Sequence, residues 1–246
     1  MHDPLPRRRF LDPRGSAHPP IRDAVHIPLD ELDRRVHELP PLHEPVLVAA
    51  EHSLGEAVAA RLKRPVEIVP FELGEPEPQG RLWEPNALLQ GLSVPPGRAL
   101  DLGCGTGRDA VYLAAAGWEV RAIDHLPDAL ERGRFSAERI LGQPSIEWIC
   151  ADLESVSASE KFNLVCAFFI FSSAVLDFAL ASLSPGGTLL IEAFTPTHRA
   201  ERGKPKNLDR TLDIARAHQL PGVTVLSAEE GWRSDRHSLR LVAVKS

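Results

Sequence analysis

Apolar runs of strand length alternate with helical patterns through the middle of this 246-residue chain. Residues 98–102 are apolar enough for a buried parallel strand, residues 110–115 continue as a helix, and a second strand over 118–123 ends at Asp124. Further along, the spacing predicts a strand at 146–149, a helix at 208–219, a short strand at 223–226 and an alternating strand at 238–244. These alternating elements predict an α/β fold.

Three alternate glycines, Gly103, Gly105 and Gly107, join the first of these strands to its helix. Because they leave no Cβ along one side of the turn, the backbone can bend sharply and lie against a ligand. Thr106 is expected to accept the first free amides of the helix, and Asp109 stands where a capping-box acid belongs. A glycine triplet alone is equally compatible with an ordinary strand-to-helix turn.

The strand that follows the glycine turn ends in an acid, Asp124, at the distance where an acidic residue reaches the ribose of a bound nucleoside. The alternative is that Asp124 caps the helix that begins near Pro127. A dinucleotide site would carry its third glycine at Arg108, and Asp101 would repel a phosphate. The turn therefore favours a cationic nucleoside, and a nicotinamide-dependent oxidoreductase is disfavoured.

The segment Asp101–Gly107 resembles the first motif of class I S-adenosylmethionine-dependent methyltransferases, and Asp124 resembles their ribose-binding acid. Residues 150–153 are similar to the family's adenine-contacting step, 162–169 to its fourth strand, and 183–192 to its L-x-P-G-G turn into the fifth strand. Asn163 departs from the Asp that is usual in the fourth strand. The resemblance covers residues 81–246 and lies near the tellurite-resistance-type branch.

This resemblance implies a Rossmann-like seven-stranded methyltransferase sheet whose last strand is antiparallel, with S-adenosylmethionine as the cofactor. Asp101 is expected to order the turn and attract the ammonium of the cofactor, and Arg108 to meet its carboxylate. Phe168 and Phe169 either stabilise the sulfonium or pack in the core. The residues expected to bind the cofactor are Asp101, Gly103, Cys104, Gly105, Gly107, Arg108, Asp124, His125, Asp152, Leu153 and Phe168.

The expected reaction is in-line methyl transfer to a small molecule, for which the protein mainly holds the nucleophile in line and excludes water. Catalytic residues stay unknown, with Glu192 and His198 as weak candidates for a base. Trp83, Thr195 and Lys204 are further candidates for the acceptor side. A thiol or chalcogen oxyanion would need no base. The alternative is a catalytically silent scaffold or regulatory protein that binds S-adenosylmethionine or S-adenosylhomocysteine, motivated partly by Asn163.

The first 70 residues resemble a shortened, degenerate rhodanese-like segment. Residues 10–14, 21–32 and 45–53 are similar to its strand, its loop with a short helix and its second strand. Rhodanese chemistry needs a cysteine where this chain has Ala49 or Ala50, and no cysteine precedes Cys104, which excludes sulfur transfer. The predicted division is therefore 1–70 for this segment, 71–82 for a linker and 83–246 for the methyltransferase domain.

So small a segment would bury too little surface to stand alone, so we expect it to dock on the methyltransferase domain. It would serve as a structural brace or as an interaction surface for another protein, or it would shape the substrate entrance. The connector is predicted at 72–80, which is rich in Pro, Glu and Gly.

Composition limits the classes of binding partner that we expect. The formal net charge is −6 with 43% hydrophobic residues, and the arginines at 7–9 form only a short run, which disfavours nucleic acid. No stretch reaches the roughly 20 apolar residues that a membrane span needs, so we expect no membrane partner and a cytoplasmic location. The three cysteines are expected to be buried reduced thiols, with Cys104 inside the glycine turn the exception to test, and no histidine spacing indicates a metal site.

Overall fold

The computed structural model describes residues 10–40, 42, 44–76, 81–156 and 158–246. It divides into two compact units. The smaller comprises the described residues up to Pro85 with Ser136–Gly142, and the larger comprises Asn86–Phe135 with Gln143–Ser246. The arginines at 7–9 and residues 77–80 of the predicted connector lie outside the described residues. Within those residues, no helix has both the length and the apolar character to cross a bilayer.

The smaller unit contains a four-stranded parallel sheet in the order β2-β1-β3-β4. Its elements are β1 Phe10–Asp12, β2 Ala24–His26, β3 Val46–Ala49, α1 His52–Leu62 and β4 Val66–Val69. Leu11, Val48 and Val58 are fully buried between this sheet and α1. The predicted strand at 45–53 is shorter in the structure, because α1 begins at His52.

The larger unit is built on a seven-stranded sheet in the order β10-β11-β9-β8-β5-β6-β7. Only β11 runs opposite to the other six strands of this sheet, which confirms the predicted sheet with an antiparallel last strand. Its elements are α2 Ala87–Gln90, β5 Arg98–Leu102, α3 Arg108–Ala115, β6 Glu119–Asp124, α4 Pro127–Leu141, β7 Ile146–Cys150, β8 Phe162–Phe168, α5 Ser173–Ser182, β9 Leu183–Phe194, α6 Pro196–Arg202, α7 Ile214–Ala217, β10 Val223–Arg233 and β11 Arg236–Lys245.

The central strands read as near-continuous apolar runs because helices cover both faces of a parallel sheet. Leu100, Val165 and Ile191, on β5, β8 and β9, are almost completely buried. The carboxyl ends of these strands all lie at one edge of the sheet, and that edge is where ligands bind in open α/β folds.

The helix predicted over 208–219 is wrong. A single 3-10 turn covers Leu208–Arg210, and α7 begins only at Ile214. The side chain of Asn207 accepts from the amide of Asp209, and the side chain of Asp213 accepts from the amide of Arg216. Because each of these side chains caps a turn of its own, the segment with helical spacing forms two short helical turns instead of one helix.

The final hairpin is longer than the sequence predicted. β10 extends to Arg233 rather than ending near 226, and a bulge lies between Val225 and Ser227. β10 pairs only with β11, so it is an edge strand with polar residues such as Glu229. A strand with polar residues at the edge of a sheet lacks the apolar pattern of a buried strand, so the sequence pattern does not predict its full length.

Candidate cofactor site

The glycine turn connects β5 to α3 at the carboxyl edge of the sheet. Gly103, Gly105 and Gly107 have φ of +67°, +54° and +70°, in the left-handed region that side chains rarely adopt. The N-cap of α3 is Gly107, and no side chain caps this helix. The predicted capping by Thr106 is therefore wrong, because the left-handed conformation at Gly107 delays the helix by one residue.

The three glycines face different surroundings. A Cβ on Gly107 would lie 2.2 Å from the ring of Trp148, and one on Gly103 would lie 2.7 Å from the side chain of Ile170. A Cβ on Gly105 would meet nothing within 4 Å. Gly103 and Gly107 therefore allow close internal packing, and Gly105 faces open space.

Asp124, at the end of β6, faces the glycine turn. Its Oδ2 accepts from the amide of Gly105 at 2.8 Å, and its Oδ1 accepts from the amide of Leu126 at 2.9 Å. The same side chain therefore orders both the turn and the residues that lead into α4. Each carboxylate oxygen has two lone pairs, so both keep capacity for hydroxyl donors from a ligand.

Two further acids lie buried under the turn. Asp109 is not a capping-box acid, because its carboxylate accepts from the amide of Asn86 at 2.7 Å. Burial raises the pKa of Asp109 to about 6. Burial, followed by the charges of Asp109 and Asp124, raises the pKa of Asp101 well above its ordinary value. Among the described residues, no partner hydrogen-bonds Oδ2 of Asp101, so this oxygen is available to a cation or a proton.

A pocket of about 400 Å³ opens at this edge of the sheet. Six of the predicted residues line it: Gly103, Asp124, His125, Asp152, Leu153 and Phe168. Asp101, Cys104, Gly105, Gly107 and Arg108 do not line it; they form the turn and the start of α3 beside it. The structure thus brings the tips of β5, β6 and β8 and the segment after β7 around one cavity, of a size typical of small-molecule sites.

The two candidate bases lie outside this pocket lining. Glu192 is buried. Its carboxylate accepts hydrogen bonds from the side chains of Asn86 at 2.7 Å and Ser238 at 2.8 Å, and it forms an ion pair with Arg240 at 3.1 Å. These contacts tie β9, β11 and the segment before α2 together. Glu192 therefore acts as an internal link within the larger unit.

His198 has no free basic nitrogen. Its Nδ1 accepts from the backbone amide of His237 at 3.2 Å, and its ring stacks on Phe194 with 4.4 Å between centroids. Burial lowers the pKa of His198, which favours the neutral ring. With Nδ1 accepting, the single proton of a neutral imidazole resides on Nε2, which leaves no lone pair for a substrate proton.

The other acceptor-side candidates do not line the pocket either. Trp83 is buried in the smaller unit, and the guanidinium of Arg81 covers its ring at 5.4 Å. Thr195 is fully buried, caps α6 and hydrogen-bonds the ring of His237 at 2.7 Å. Lys204 is exposed after α6.

Cys104 does not behave as a reactive thiol. Burial, together with Asp101 and Asp124, raises its pKa far above the usual range for cysteine. A thiol that stays protonated is a poor nucleophile and a poor metal ligand. Cys166 is buried and its pKa is raised in the same way, whereas Cys150 is exposed, against the expectation that all three thiols are buried. In the described ranges, no three His, Cys, Asp or Glu side chains are placed to hold a metal ion.

Some lining residues were missed from the sequence. Ile170, Phe171 and Val175 belong to the connection into α5 and to its first turn, and Arg210 belongs to the segment wrongly predicted as a helix. Phe169, also in the lining, has φ of +57°, which is strained for a bulky residue. Its ring lies 5.0 Å from that of Phe194. In the sequence, the signal for this wall is the aromatic pair Phe168 and Phe169 at the end of β8.

Residues 99–187 match the protein family described as "Methyltransferase domain". This stretch runs from β5 into the start of β9 and contains the glycine turn and Asp124. The chain contains a class I S-adenosylmethionine-dependent methyltransferase domain. The matched residues include the glycine turn, Asp124 and Asp152, so the match covers much of the candidate site.

The methyltransferase domain is similar to several known proteins. Hemagglutinin 1 of Eikenella corrodens is 34% identical over 38% of this chain and 29% of its own length. A malonyl-[acyl-carrier protein] O-methyltransferase of Anoxybacillus flavithermus is 33% identical over 32% of this chain and 30% of its own length. The chain thus spans about a third of the length of these curated relatives.

Solved structures share the fold of the methyltransferase domain. The crystal structure of TehB from Haemophilus influenzae superposes with a TM-score of 0.53 and 20% identity, over 62% of this chain and 59% of that one. At this identity the likeness concerns the fold alone.

The residues around the glycine turn fit the cofactor of this class. S-adenosylmethionine carries an ammonium, a sulfonium and two ribose hydroxyls. The free Oδ2 of buried Asp101 suits a cation, the open face of Gly105 admits a ligand against the backbone, and Asp124 keeps acceptor capacity for hydroxyls.

The smaller unit has a pocket of its own, of about 560 Å³. It is lined by residues that follow its strands, among them Arg14, Leu29, Glu51 and Phe71. The guanidinium of Arg14 is engaged by both carboxylate oxygens of Asp12 at 2.9 Å. No cysteine occurs in the sequence of this unit, so the pocket holds no thiol for sulfur transfer.

Proposed function

We propose that this protein transfers a methyl group from S-adenosylmethionine to a small-molecule acceptor by in-line displacement. The observation that carries the proposal is the contact of 2.8 Å between Asp124 and the amide of Gly105, beside the buried free oxygen of Asp101 and within a methyltransferase domain. The carboxylates of Asp124, Asp152 and Glu154 line the pocket, and their charge suits a nucleoside that carries an ammonium and a sulfonium and opposes a pyrophosphate.

The proposed binding mode follows the elements around the pocket. Asp124 would accept from the ribose hydroxyls, while Asp152 and Leu153 after β7 would flank the adenine. The open face of Gly105 would lie against the amino-acid end, whose ammonium Asp101 would hold. Arg108 and His125 are kept as weaker proposals, since Arg108 lies outside the pocket lining and His125 is largely exposed.

S-adenosylmethionine supplies a methyl group on a sulfonium, which is already a good leaving group. The protein then has to orient the acceptor and exclude water, and the rings of Phe168 and Phe169 line the pocket for both tasks. The acceptor's lone pair forms the new bond to the methyl carbon as the carbon–sulfur bond breaks and leaves its electron pair on sulfur. With Glu192 and His198 outside the pocket lining, we propose that no dedicated base is used, so that the acceptor either reacts as an anion or passes its proton to water.

Calorimetry with S-adenosylhomocysteine, followed by turnover of labelled S-adenosylmethionine in a metabolite extract, tests this proposal. The wild-type protein is expected to bind the product and to label an acceptor, and Asp124→Ala is expected to weaken binding at least tenfold. Glu131→Ala, an exposed acid on α4, is the matched control. Absence of binding to either form of the cofactor by a folded wild-type protein would refute the proposal.

The alternative is a scaffold or regulatory protein that binds the cofactor without turnover. Asn163 no longer favours it, because this residue lies at the start of β8, at the sheet edge opposite the pocket, where its side chain accepts from the amide of Arg98 at 3.0 Å. Binding of S-adenosylhomocysteine without labelling of any acceptor would support this alternative.

For the smaller unit, we propose a degenerate rhodanese-like segment that acts as a brace or an interaction surface. Three expectations stay predictions of the sequence: the division of the chain at 70 and 82, docking of the segment on the methyltransferase domain, and a cytoplasmic location. The parallel sheet and the missing cysteine support this proposal. The full chain is expected to form no thiocyanate from thiosulfate and cyanide. We also propose a place near the tellurite-resistance-type branch, with which the shared fold of TehB is compatible.

A further inference from the structure

One wall of the pocket has no role in the proposed cofactor contacts. It consists of Phe169, Ile170, Phe171, Ser172, Val175 and Arg210. Its surface is apolar and aromatic except for Ser172 and the guanidinium of Arg210. If the cofactor contacts the tips of β5, β6 and β7 as proposed, this wall is what remains for the acceptor.

The charge of Arg210 is not compensated within the described part of the chain, where no acidic side chain lies within ion-pair distance of its guanidinium. The nearby Arg216 differs, since it pairs with Asp209 at 3.7 Å and donates to Ser173 at 3.0 Å. Phe171 lies under the guanidinium of Arg216 at 5.2 Å. Arg216 is thus engaged by neighbouring side chains, whereas Arg210 is exposed at the pocket and has no acidic partner among the described residues.

The backbone that carries Arg210 is held in place next to the pocket. Both carboxylate oxygens of Asp209 accept from Ser173, at 2.6 Å from its hydroxyl and 3.2 Å from its amide. The amide of Leu212 donates to the carbonyl of Phe194 at 2.9 Å. Because residues on both sides of Arg210 are tied to α5 and β9, the side chain starts from a defined position.

The charges in the pocket are divided between two sides. Asp124, Asp152 and Glu154 lie on the cofactor side, and Arg210 is the only arginine or lysine in the described lining. The acids suit a cationic cofactor, while the guanidinium suits an anion, to which it presents two parallel N–H donors. A dianionic phosphate would be repelled more strongly by the three carboxylates than a monoanion would.

Building on the proposed function, we propose that Arg210 binds a carboxylate of the methyl acceptor, and that the acceptor is a small carboxylic acid with an aromatic or apolar body. The carboxylate is the recognition group, and the rings of Phe169 and Phe171 receive the body. Phe169 is held beside β9, since its amide donates to the carbonyl of Glu192 at 2.6 Å, and the guanidinium of Arg236 lies over its ring at 4.9 Å.

The test measures ligand binding to the full chain saturated with S-adenosylhomocysteine. The probes are benzoate and 3-phenylpropanoate, their neutral amides, and phenylphosphonate as the dianion. We expect at least one carboxylate to bind about tenfold more tightly than its amide and than the phosphonate, which is the size of one charge-assisted contact. Arg210→Gln is expected to abolish this preference, and Arg132→Gln, on the exposed side of α4, is expected to keep it.

The outcomes separate this inference from the proposed function. If the wild-type protein does not bind S-adenosylhomocysteine, the proposed function fails and the inference fails with it. If the product binds but neither carboxylate exceeds its amide, or the phosphonate binds best, only the inference is overturned. It is also overturned if Arg210→Gln weakens binding of S-adenosylhomocysteine instead of the carboxylate, because Arg210 would then belong to the cofactor contacts.

Discussion

The indole of Trp148 occupies the space that a side chain at Gly107 would need, with 2.2 Å between the ring and the position of that Cβ. Trp148 stands on β7 and also packs against Gly133 of α4, where a Cβ would lie 2.8 Å away. The last glycine of the turn is thus part of the packing of Trp148 on β7 against the start of α3 and against α4, and Gly105 is the glycine that faces open space.

This difference predicts losses of stability of different size for two alanine substitutions. Gly107→Ala should lower the free energy of unfolding by about 2–4 kcal/mol, because it adds overpacking against Trp148 to the cost of a left-handed alanine. Gly105→Ala should cost only about 1 kcal/mol in stability, since the strain at φ of +54° is not accompanied by a clash.

Urea unfolding and calorimetry with S-adenosylhomocysteine check both variants. Gly105→Ala is expected to fold and to bind the product at least tenfold more weakly, because a methyl group would stand where the ligand meets the backbone. Equal stabilities of the two variants would contradict the packing role of Gly107, and full binding by Gly105→Ala would contradict the open role of Gly105.

A second prediction concerns Asp109 and the dependence of stability on pH. Burial raises its pKa in the folded protein to about 6, above the value of about 3.9 in an unfolded chain. The folded state therefore binds the proton more tightly, so this contribution to stability is complete below pH 4 and is lost as the pH rises through about 6. The loss amounts to as much as about 3 kcal/mol.

Asp109→Asn removes this titration and keeps an oxygen that accepts from the amide of Asn86. The variant should lose less stability than the wild-type protein between pH 4.5 and pH 7.5, as measured by urea unfolding at both pH values. Asp177→Asn, an exposed acid on α5, serves as the control and should follow the wild-type protein. If the stabilities of Asp109→Asn and wild type depend on pH in the same way, burial does not raise the pKa of Asp109.

The cysteines provide a third prediction, on chemical reactivity. Cys150 is exposed, Cys166 is buried, and the pKa of Cys104 is raised far above its usual range by burial and by nearby acids. Iodoacetamide at pH 8 should therefore label Cys150 first and Cys104 at least tenfold more slowly, because the thiolate is the reacting form. Peptide mass spectrometry at several times measures both rates. Labelling in urea, where all three thiols should react at similar rates, is the control, and fast native labelling of Cys104 would contradict its raised pKa.

The sequence predicted the sheet and the glycine turn that joins β5 to α3, because both depend on local patterns. Buried parallel strands are continuously apolar, and glycines between a strand and a helix mark a turn wherever they occur. For the same reason Asp124 could be identified as a residue of the site from its position after β6.

The errors concern contacts between residues far apart in sequence. Nothing near Gly107 reveals that Trp148 fills the adjacent space and that α3 starts one residue late, so the capping roles of Thr106 and Asp109 were wrong. Arg210 could not be identified because the hydrogen bonds between Ser173 and Asp209 that hold its backbone join segments 36 residues apart.

The last prediction follows from the free oxygen of Asp101. Burial and the neighbouring acids raise the pKa of Asp101, so without a cation nearby the carboxyl holds its proton at a higher pH than an exposed aspartate does. An ammonium bound beside Oδ2 would favour the charged form and lower this pKa, so cofactor binding should release a proton in the pH interval between the two values.

Calorimetric titrations with S-adenosylhomocysteine in phosphate and in Tris, two buffers with different ionisation enthalpies, measure the number of protons released. A positive fraction of a proton is expected for the wild-type protein and close to none for Asp101→Asn, which keeps the size of the side chain but does not titrate. If both proteins bind the product with the same buffer dependence, Asp101 does not hold the ammonium, and the cation that the turn attracts must be bound elsewhere in the site.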